Sequence, residues 1–144
     1  MMKTSELDGE LLDRWVARAQ GWSLHSVDGV HWHWVTLVDG DPKGTPHSSL
    51  EAYHPLRNWA QGGPVLDHGS IFVFGGNEDR NPRAGYTLRT DTDGRYSIEG
   101  EMEHFTYLGA GLKAFVHQRF GPTVDDNPDW SSAPDFTYQP FFFG

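Results

Sequence analysis

Cysteine is absent from the 144-residue chain, which excludes both a disulfide framework and any metal site built on thiolates. No apolar run approaches the roughly 20 residues that a membrane-spanning helix needs. The first residues are polar, whereas a signal peptide would require an apolar segment there. We therefore expect a protein of a reducing compartment, the cytoplasm, that does not enter a membrane.

Positive charge is also scarce. Eleven Lys and Arg residues stand against twenty Asp and Glu residues, which gives a formal net charge of −9. The basic residues are scattered, whereas a protein that wraps a nucleic-acid backbone needs them clustered. We expect no nucleic-acid polymer as a partner. The charge remains compatible with a basic protein partner, or with a small anion held by a few Arg residues and backbone N–H groups.

Catalytic motifs are missing as well. The chain has no cysteine nucleophile, no Gly-x-Ser-x-Gly elbow and no Walker loop for phosphate binding. Enzymatic activity is therefore less expected than binding, although a hydrolase that relies on a general base leaves few local motifs. The sequence predicts no cofactor.

Aromatic residues, glycine and proline are abundant, with nine Phe, six Trp, five Tyr, 17 Gly and nine Pro. This composition favours a loop-rich α+β domain. Apolar residues at helical spacing predict amphipathic helices over residues 4–20 and 109–120. Two β-hairpins are predicted, one from residues 22–27 and 30–38 and the other from residues 86–89 and 95–99. Short strands are predicted at 65–66 and 71–74, and loops at 39–49, 53–64 and 77–85.

We predict one α+β domain over residues 1–124, in which a single twisted antiparallel sheet is packed by the two helices and connected by long loops. Residues 125–144 form an acidic tail that ends in five aromatic residues, Phe136, Tyr138, Phe141, Phe142 and Phe143. Because so many aromatic side chains are costly to expose, we expect the tail to dock on its own domain or on a neighbouring subunit. Self-association is expected, with a homodimer as the default by symmetry.

The segment 53–64 combines groups that are typical of a ligand-binding loop. Its aromatic rings offer stacking surfaces, its guanidinium can pair with phosphate or carboxylate, its amides can read polar edges, and its paired glycines let backbone N–H groups approach an anion. The alternative is that Trp59 fills the core and the glycines only turn the chain. The candidate ligand-binding residues are Tyr53, Arg57, Asn58, Trp59, Gln61, Gly62 and Gly63.

Glycines also open the second predicted helix. Gly109 and Gly111 belong to the same candidate ligand site, because a glycine-rich helix entry can cradle a phosphate. Close packing of the helix is the alternative explanation.

Two histidines are weaker candidates for a metal site. His31 and His33 share one face of a predicted strand, at a spacing found in some metal centres. No third ligand is fixed by the sequence, and ordinary hydrogen-bonded histidines explain the pair equally well. The sequence therefore predicts no metal site.

Three blocks of the chain resemble the NinX-like family of small phage proteins. They are the N-terminal block of residues 2–7 with Leu12, Asp13 and the helix to Gly21; the block of Tyr53, Pro55, Trp59 and residues 60–64; and the late helix of residues 112–116 ending at Phe120 and Gly121. The chain departs from the family by its segments 39–49 and 77–94, by its aromatic tail, and by residues 107–111 at the entry of the late helix. The resemblance implies a phage accessory gene, expressed in the cytoplasm of a bacterial host. It supplies no catalytic residues.

Together these observations predict a non-enzymatic counter-defence protein that binds and sequesters a small polar ligand, of a nucleotide type, such as an immune signal. An acidic inhibitor of a basic host or phage protein is the alternative. A small metal-dependent hydrolase that uses His31, His33 and an acid is a third possibility.

Overall fold

A computed structural model describes residues 1–136 and Tyr138. Within these residues the chain forms three α-helices and ten short strands, so the predicted α+β class is confirmed. The helices are α1 (Gly9–Ala19), α2 (Trp59–His68) and α3 (Tyr107–Phe120). In the described part of the chain, no helix has the length and apolar character that crossing a membrane would require.

Helix α1 confirms the first predicted helix, with a later start. A 3₁₀ helix, Thr4–Glu6, comes first. Asp8 then caps α1, because its side chain accepts a hydrogen bond from the Gly9 N–H at 2.9 Å. Gly9 has a φ of +55°, a value at which an uninterrupted helix from residue 4 is impossible. At the other end Gly21, with a φ of +90°, terminates the helix.

Helix α3 occupies the centre of the molecule. Thr106 caps it by accepting the Gly109 N–H at 2.9 Å, and Gly121 ends it with a φ of +88°. The second predicted helix is therefore confirmed, with its start two residues earlier. Its buried side chains join those of α1 and α2 in the main apolar core, whose largest members are Leu7, Leu12, Trp15, Leu112 and Phe115.

The strands form four small antiparallel sheets in place of the single sheet predicted from the sequence. Strands β2 (Trp22–His25), β3 (His33–Val38) and β4 (Asp41–Ser49) form one of them. The first predicted hairpin forms, but its connection spans residues 26–32 and not two residues, so its register is shifted by one residue and Trp22 lies opposite Thr36 in place of Val35. The loop predicted over residues 39–49 was wrong: it contains β4, an exposed edge strand in which two prolines are tolerated.

A second three-stranded sheet packs on α3. Strands β5 (Phe72–Asn77), β6 (Arg80–Gly85) and β9 (Met102–Glu103) form one sheet, which packs on this helix. Residues 77–85, predicted to be a polar loop, therefore contain a strand. Strands β7 (Thr87–Thr90) and β8 (Tyr96–Glu99) confirm the second predicted hairpin, and β1 (Met2–Lys3) pairs with β10 (Thr123–Val124).

Helix α2 was not predicted, and the strand predicted at Val65 and Leu66 lies inside it. Its sequence contains Gly62, Gly63 and Pro64, residues that are unfavourable within helices. Asn58 nevertheless caps the helix by accepting the Ala60 N–H at 2.9 Å. Packing on α3 stabilises the helix against its own weak propensity.

The start of the C-terminal segment covers the junction between α1 and the β2–β3–β4 sheet. Trp130 makes edge contacts with Trp15 and Trp34, at ring-centroid distances of 5.2 and 6.5 Å. The Arg18 guanidinium donates to the carbonyl oxygens of Asp129 and Ser132 at 3.2 and 3.0 Å. The aromatic residues Phe141, Phe142 and Phe143 lie outside the described residues, so their docking stays a prediction.

Candidate functional site

The residues proposed from segment 53–64 divide into an inner and an outer group. Tyr53 is buried, and its hydroxyl accepts a hydrogen bond from the Gln20 side chain at 2.6 Å. Burial raises the pKa of Tyr53 to about 12, so its hydroxyl is protonated at neutral pH. Gln61 fixes the backbone of the same segment, accepting the His54 N–H at 2.7 Å and donating to the Ala52 carbonyl at 2.8 Å.

The outer group is an exposed ridge of Arg57, Asn58 and Trp59, hereafter the Trp59 ridge. The Trp59 side chain is 57% exposed and therefore does not fill the core. Asn58 is occupied as the cap of α2. The ridge keeps an indole and a guanidinium on the surface, and its role in ligand binding stays a prediction.

The two glycines of this segment differ from each other. A Cβ atom on Gly62 would lie 2.5 Å from the Pro55 carbonyl oxygen and 2.6 Å from the Leu108 side chain. A Cβ atom on Gly63 would meet only the Trp59 ring, at 3.8 Å. Gly62 therefore has a packing role between α2 and its neighbours, whereas Gly63 has free space beside it.

Gly109 and Gly111 are buried within α3. A Cβ atom would lie 2.1 Å from the His104 ring at Gly109 and 2.6 Å from Leu66 at Gly111. The Gly109 N–H is already bonded to the Thr106 hydroxyl. Both glycines let neighbouring side chains approach the helix closely. Their joint role with the Trp59 ridge in ligand binding stays a prediction.

His31 and His33 do not gather further ligands. His31 is exposed and its Nδ1 lies 2.6 Å from the Asp28 carboxylate, whereas His33 lies on β3. Across residues 1–136 and 138, the structure contains no group of three or more His, Asp or Glu side chains placed to hold a metal ion.

Tyr53 contributes to a cleft between α1, β3 and the segment before α2, hereafter the Tyr53 cleft. Its volume is about 180 Å³. Three carboxylates, two aromatic rings and three further side chains line it: Glu10, Asp13, Glu51, Trp34, Tyr53, Arg14, Leu50 and His54.

Asp13 forms the buried side of this cleft. One of its carboxylate oxygens accepts the Leu56 N–H at 2.9 Å, and the other lies 3.6 Å from His54 Nδ1. Burial raises the pKa of Asp13, and the bond from Leu56 and the nearby His54 ring only partly offset that effect. The pair anchors the 3₁₀ helix Pro55–Arg57 to α1 and leaves the His54 ring partly exposed in the cleft.

A second pocket lies between the β5–β6 turn and the start of α3. It has a volume of about 330 Å³ and contains no carboxylate in its lining. We call it the Arg80 pocket; its residues are Gly76, Asn77, Arg80, Asn81, Pro82, Phe105 and Tyr107. Within the described part of the chain, the Arg80 guanidinium has no hydrogen-bond or ion-pair partner.

Two aromatic rings shape the Arg80 pocket. Phe105 is 70% exposed and stacks by one face on the His104 ring, with centroids 4.3 Å apart. Its other face is therefore available. The Tyr107 hydroxyl donates to the Gly75 carbonyl, which ties its ring to the end of β5. Gly76 has a φ of +81°, and a Cβ atom there would lie 2.7 Å from the Tyr107 hydroxyl, so the turn fits only glycine.

The sequence interpretation missed this pocket. Residues 77–85 were assigned to a polar loop, and Phe105 and Tyr107 had no assigned role. The available signal was local: two asparagines and an arginine around a tight turn, and two aromatic residues flanking a helix cap. Their proximity depends on the packing of β5 and β6 on α3, which no local pattern specifies.

Comparison with models of protein families gives a match that covers most of the chain. The family model described as "Bacteriophage P22, NinX" matches residues 3–119. No curated protein matches the chain. The match covers most of the chain and includes α1, α2 and nearly all of α3, which confirms the resemblance found in the sequence. The chain therefore belongs to the NinX family of phage proteins.

Proposed function

We propose that this phage protein captures a nucleotide-type ligand in the Arg80 pocket and thereby withholds a signal from the defence of the host cell. The observation that carries the proposal is the lining of that pocket, which combines an unpaired guanidinium, two amides and two fixed aromatic rings without a carboxylate. A ring, a guanidinium and amides are also the groups that the sequence suggested for segment 53–64.

Each group has a defined task in the proposal. The free face of Phe105 stacks on the base, an interaction worth about 1–3 kcal/mol for a base on an aromatic side chain. Arg80 pairs with the phosphate, because two N–H groups of one guanidinium can donate to two phosphate oxygens at once. Asn77 and Asn81 supply amide groups for the polar edges of the base or sugar.

The size of the pocket agrees with a single nucleotide. At about 330 Å³ it lies at the small end of ligand pockets, which run from about 300 to about 1,000 Å³. An adjoining pocket of about 420 Å³ shares Asn77, Arg80 and Asn81 with it and carries the carboxylates of Glu78, Asp79 and Glu103, which repel a phosphate. The ligand is therefore expected to enter from the side of Phe105 and Tyr107.

Sequestration requires tight binding and slow release, and needs no chemical step. Membership of a phage family supports a role during infection, when a host signal must be lowered in concentration. The proposal therefore predicts that the recovered ligand is unchanged after incubation with the protein.

Isothermal titration of the purified protein with linear and cyclic nucleotides tests the proposal. We expect micromolar binding of at least one nucleotide, and its loss in Phe105→Ala and Arg80→Gln. Matched controls are Tyr96→Ala and Arg89→Gln, which remove an exposed aromatic and an exposed guanidinium on the β7–β8 hairpin.

Two results would count against capture in this pocket. One is the absence of binding to any nucleotide in the panel by a folded protein. The other is an equal loss of affinity in the control variants, since these lie outside the pocket. Recovery of a chemically altered nucleotide after incubation would indicate an enzymatic function and not sequestration.

A further inference from the structure

The Tyr53 cleft has the opposite charge from the Arg80 pocket, and nucleotide capture leaves it without a role. Three carboxylates, those of Glu10, Asp13 and Glu51, line it together with the single guanidinium of Arg14. Its formal charge is therefore negative whether or not His54 is protonated. Such a lining repels a phosphate and attracts a cation.

Asp13 supplies an acceptor on the wall of the cleft. The residue is only 5% exposed, and one of its carboxylate oxygens accepts a hydrogen bond from the Leu56 N–H. The other oxygen forms an ion pair with His54, whose Nδ1 lies 3.6 Å away, which is longer than a hydrogen bond. An N–H group that entered the cleft would give this oxygen a hydrogen bond.

The aromatic residues of the cleft narrow the chemistry of that donor. Trp34 and Tyr53, both buried, line the cleft beside the carboxylates. A guanidinium pairs with carboxylates through its fork of N–H groups and also stacks on aromatic rings. An ammonium group, which is more strongly hydrated, gains less from such rings.

The dimensions of the cleft indicate a side chain and not a larger body. Its volume of about 180 Å³ slightly exceeds the roughly 150 Å³ of a cavity that admits benzene. A neighbouring groove of about 380 Å³ shares Arg14 and Leu50 with the cleft and is lined by Leu24, Trp32 and Trp130. When a side chain of a partner enters the cleft, the partner residues that flank it can therefore contact this apolar groove.

We propose that the Tyr53 cleft accepts the arginine side chain of a basic partner protein, and that the neighbouring groove receives apolar residues next to that arginine. Glu10 and Glu51 form ion pairs with the guanidinium at the mouth, and the second oxygen of Asp13 accepts one of its N–H groups. The net charge of −9 on the chain speeds the encounter with a basic partner. This site is independent of the Arg80 pocket.

The test uses the full chain and a blocked pentapeptide, acetyl-Gly-Leu-Arg-Leu-Gly-amide. Its citrulline counterpart keeps the shape of arginine without the charge. We expect the arginine peptide to bind in the millimolar range or tighter, and at least about tenfold more tightly than the citrulline peptide, as measured by calorimetric titration. The exposed carboxylates are then removed together in Glu10→Gln/Glu51→Gln, which is expected to weaken binding by about tenfold.

A matched control separates local recognition from general charge. Asp67→Asn/Asp135→Asn removes the same amount of negative charge at exposed positions that do not line the cleft, and it is expected to retain the affinity. Thermal unfolding of each variant confirms that the fold persists. Equal binding of the citrulline peptide, equal weakening in the control variant, or no binding of the arginine peptide would overturn the proposal.

Discussion

Gly62 and Gly63 are neighbours in α2, and the structure predicts that alanine is tolerated much better at Gly63 than at Gly62. In both variants the helix gains propensity, which is worth about 1 kcal/mol for glycine to alanine. At Gly63 the new Cβ atom would lie 3.8 Å from the Trp59 ring, an ordinary contact, so the gain is opposed only by the Pro64 ring, which crowds the Cβ atom of a helical residue that precedes it. We therefore expect Gly63→Ala to change the free energy of unfolding by less than about 1 kcal/mol.

Gly62→Ala has a steric cost that outweighs the same gain. Its Cβ atom would lie 2.5 Å from the backbone oxygen of Pro55, which cannot move without shifting the 3₁₀ helix Pro55–Arg57. The Leu108 side chain, at 2.6 Å, would also have to move. Overpacking of this kind typically costs about 1–3 kcal/mol. We therefore expect a net destabilisation in Gly62→Ala.

Urea unfolding, followed by tryptophan fluorescence, measures both effects on one scale. Because the two substitutions are chemically identical and one residue apart, effects on the unfolded chain cancel in their difference. Gly62→Ala should have the lower midpoint of the pair. If Gly62→Ala were as stable as the native protein, or if Gly63→Ala were the less stable variant, the packing role of Gly62 would be refuted.

Three further predictions concern other parts of the fold. Asn58→Ala should lower the free energy of unfolding, measured by urea denaturation, by about 1 kcal/mol through the loss of the α2 cap. Asn58→Asp should keep most of the native stability, because aspartate also caps helices. Trp59→Ala should leave the thermal midpoint nearly unchanged, because the indole is exposed; a loss of nucleotide affinity in this variant would move the ligand site to the Trp59 ridge. Burial lowers the pKa of His117, so the unfolded state binds more protons there, and stability should fall as the pH drops below about 6.5. Chemical denaturation between neutral and mildly acidic pH measures this effect. The pH dependence of stability should be smaller in His117→Gln than in the native protein, and an identical dependence would contradict the prediction.

Helices α1 and α3 and the two hairpins were predictable because their signals are local. In α1 the apolar side chains at Leu12, Trp15, Val16 and Ala19 recur at helical spacing, and all four are buried. The turn residues 91–94 similarly indicated the second hairpin, whereas the connection of the first is longer than its Asp28-Gly29 turn signal predicted. The errors at element ends reflect single residues, such as the positive φ of Gly9.

Helix α2 and strand β4 were not predictable, because their local composition opposes the structure they adopt. Glycines and a proline within α2 lower its propensity, and tertiary contacts with Leu108 override this preference. Strand β4 contains Pro42 and Pro46 but pairs with β3 along only one edge. A proline is tolerated where a ladder of hydrogen bonds is not required on both sides.

The Arg80 pocket was not predictable from the sequence, because its residues come from separate parts of the chain. The sequence indicated a ring, a guanidinium and amides acting together, and assigned them to one continuous segment. Within that segment Tyr53 and Gln61 point inward to hydrogen bonds, whereas Trp59 is exposed. The Arg80 pocket draws the same groups from the β5–β6 turn and from the start of α3, which only the folded chain brings together.

Capture of a nucleotide-type ligand in the Arg80 pocket is the central claim, and a nuclear magnetic resonance titration of the labelled protein tests it most directly. On addition of the nucleotides in the panel, the account predicts concentration-dependent shifts of the backbone amides of Arg80, Asn81, Phe105 and Tyr107. Shifts that centre on Trp59, or an unchanged spectrum at millimolar nucleotide, would contradict it.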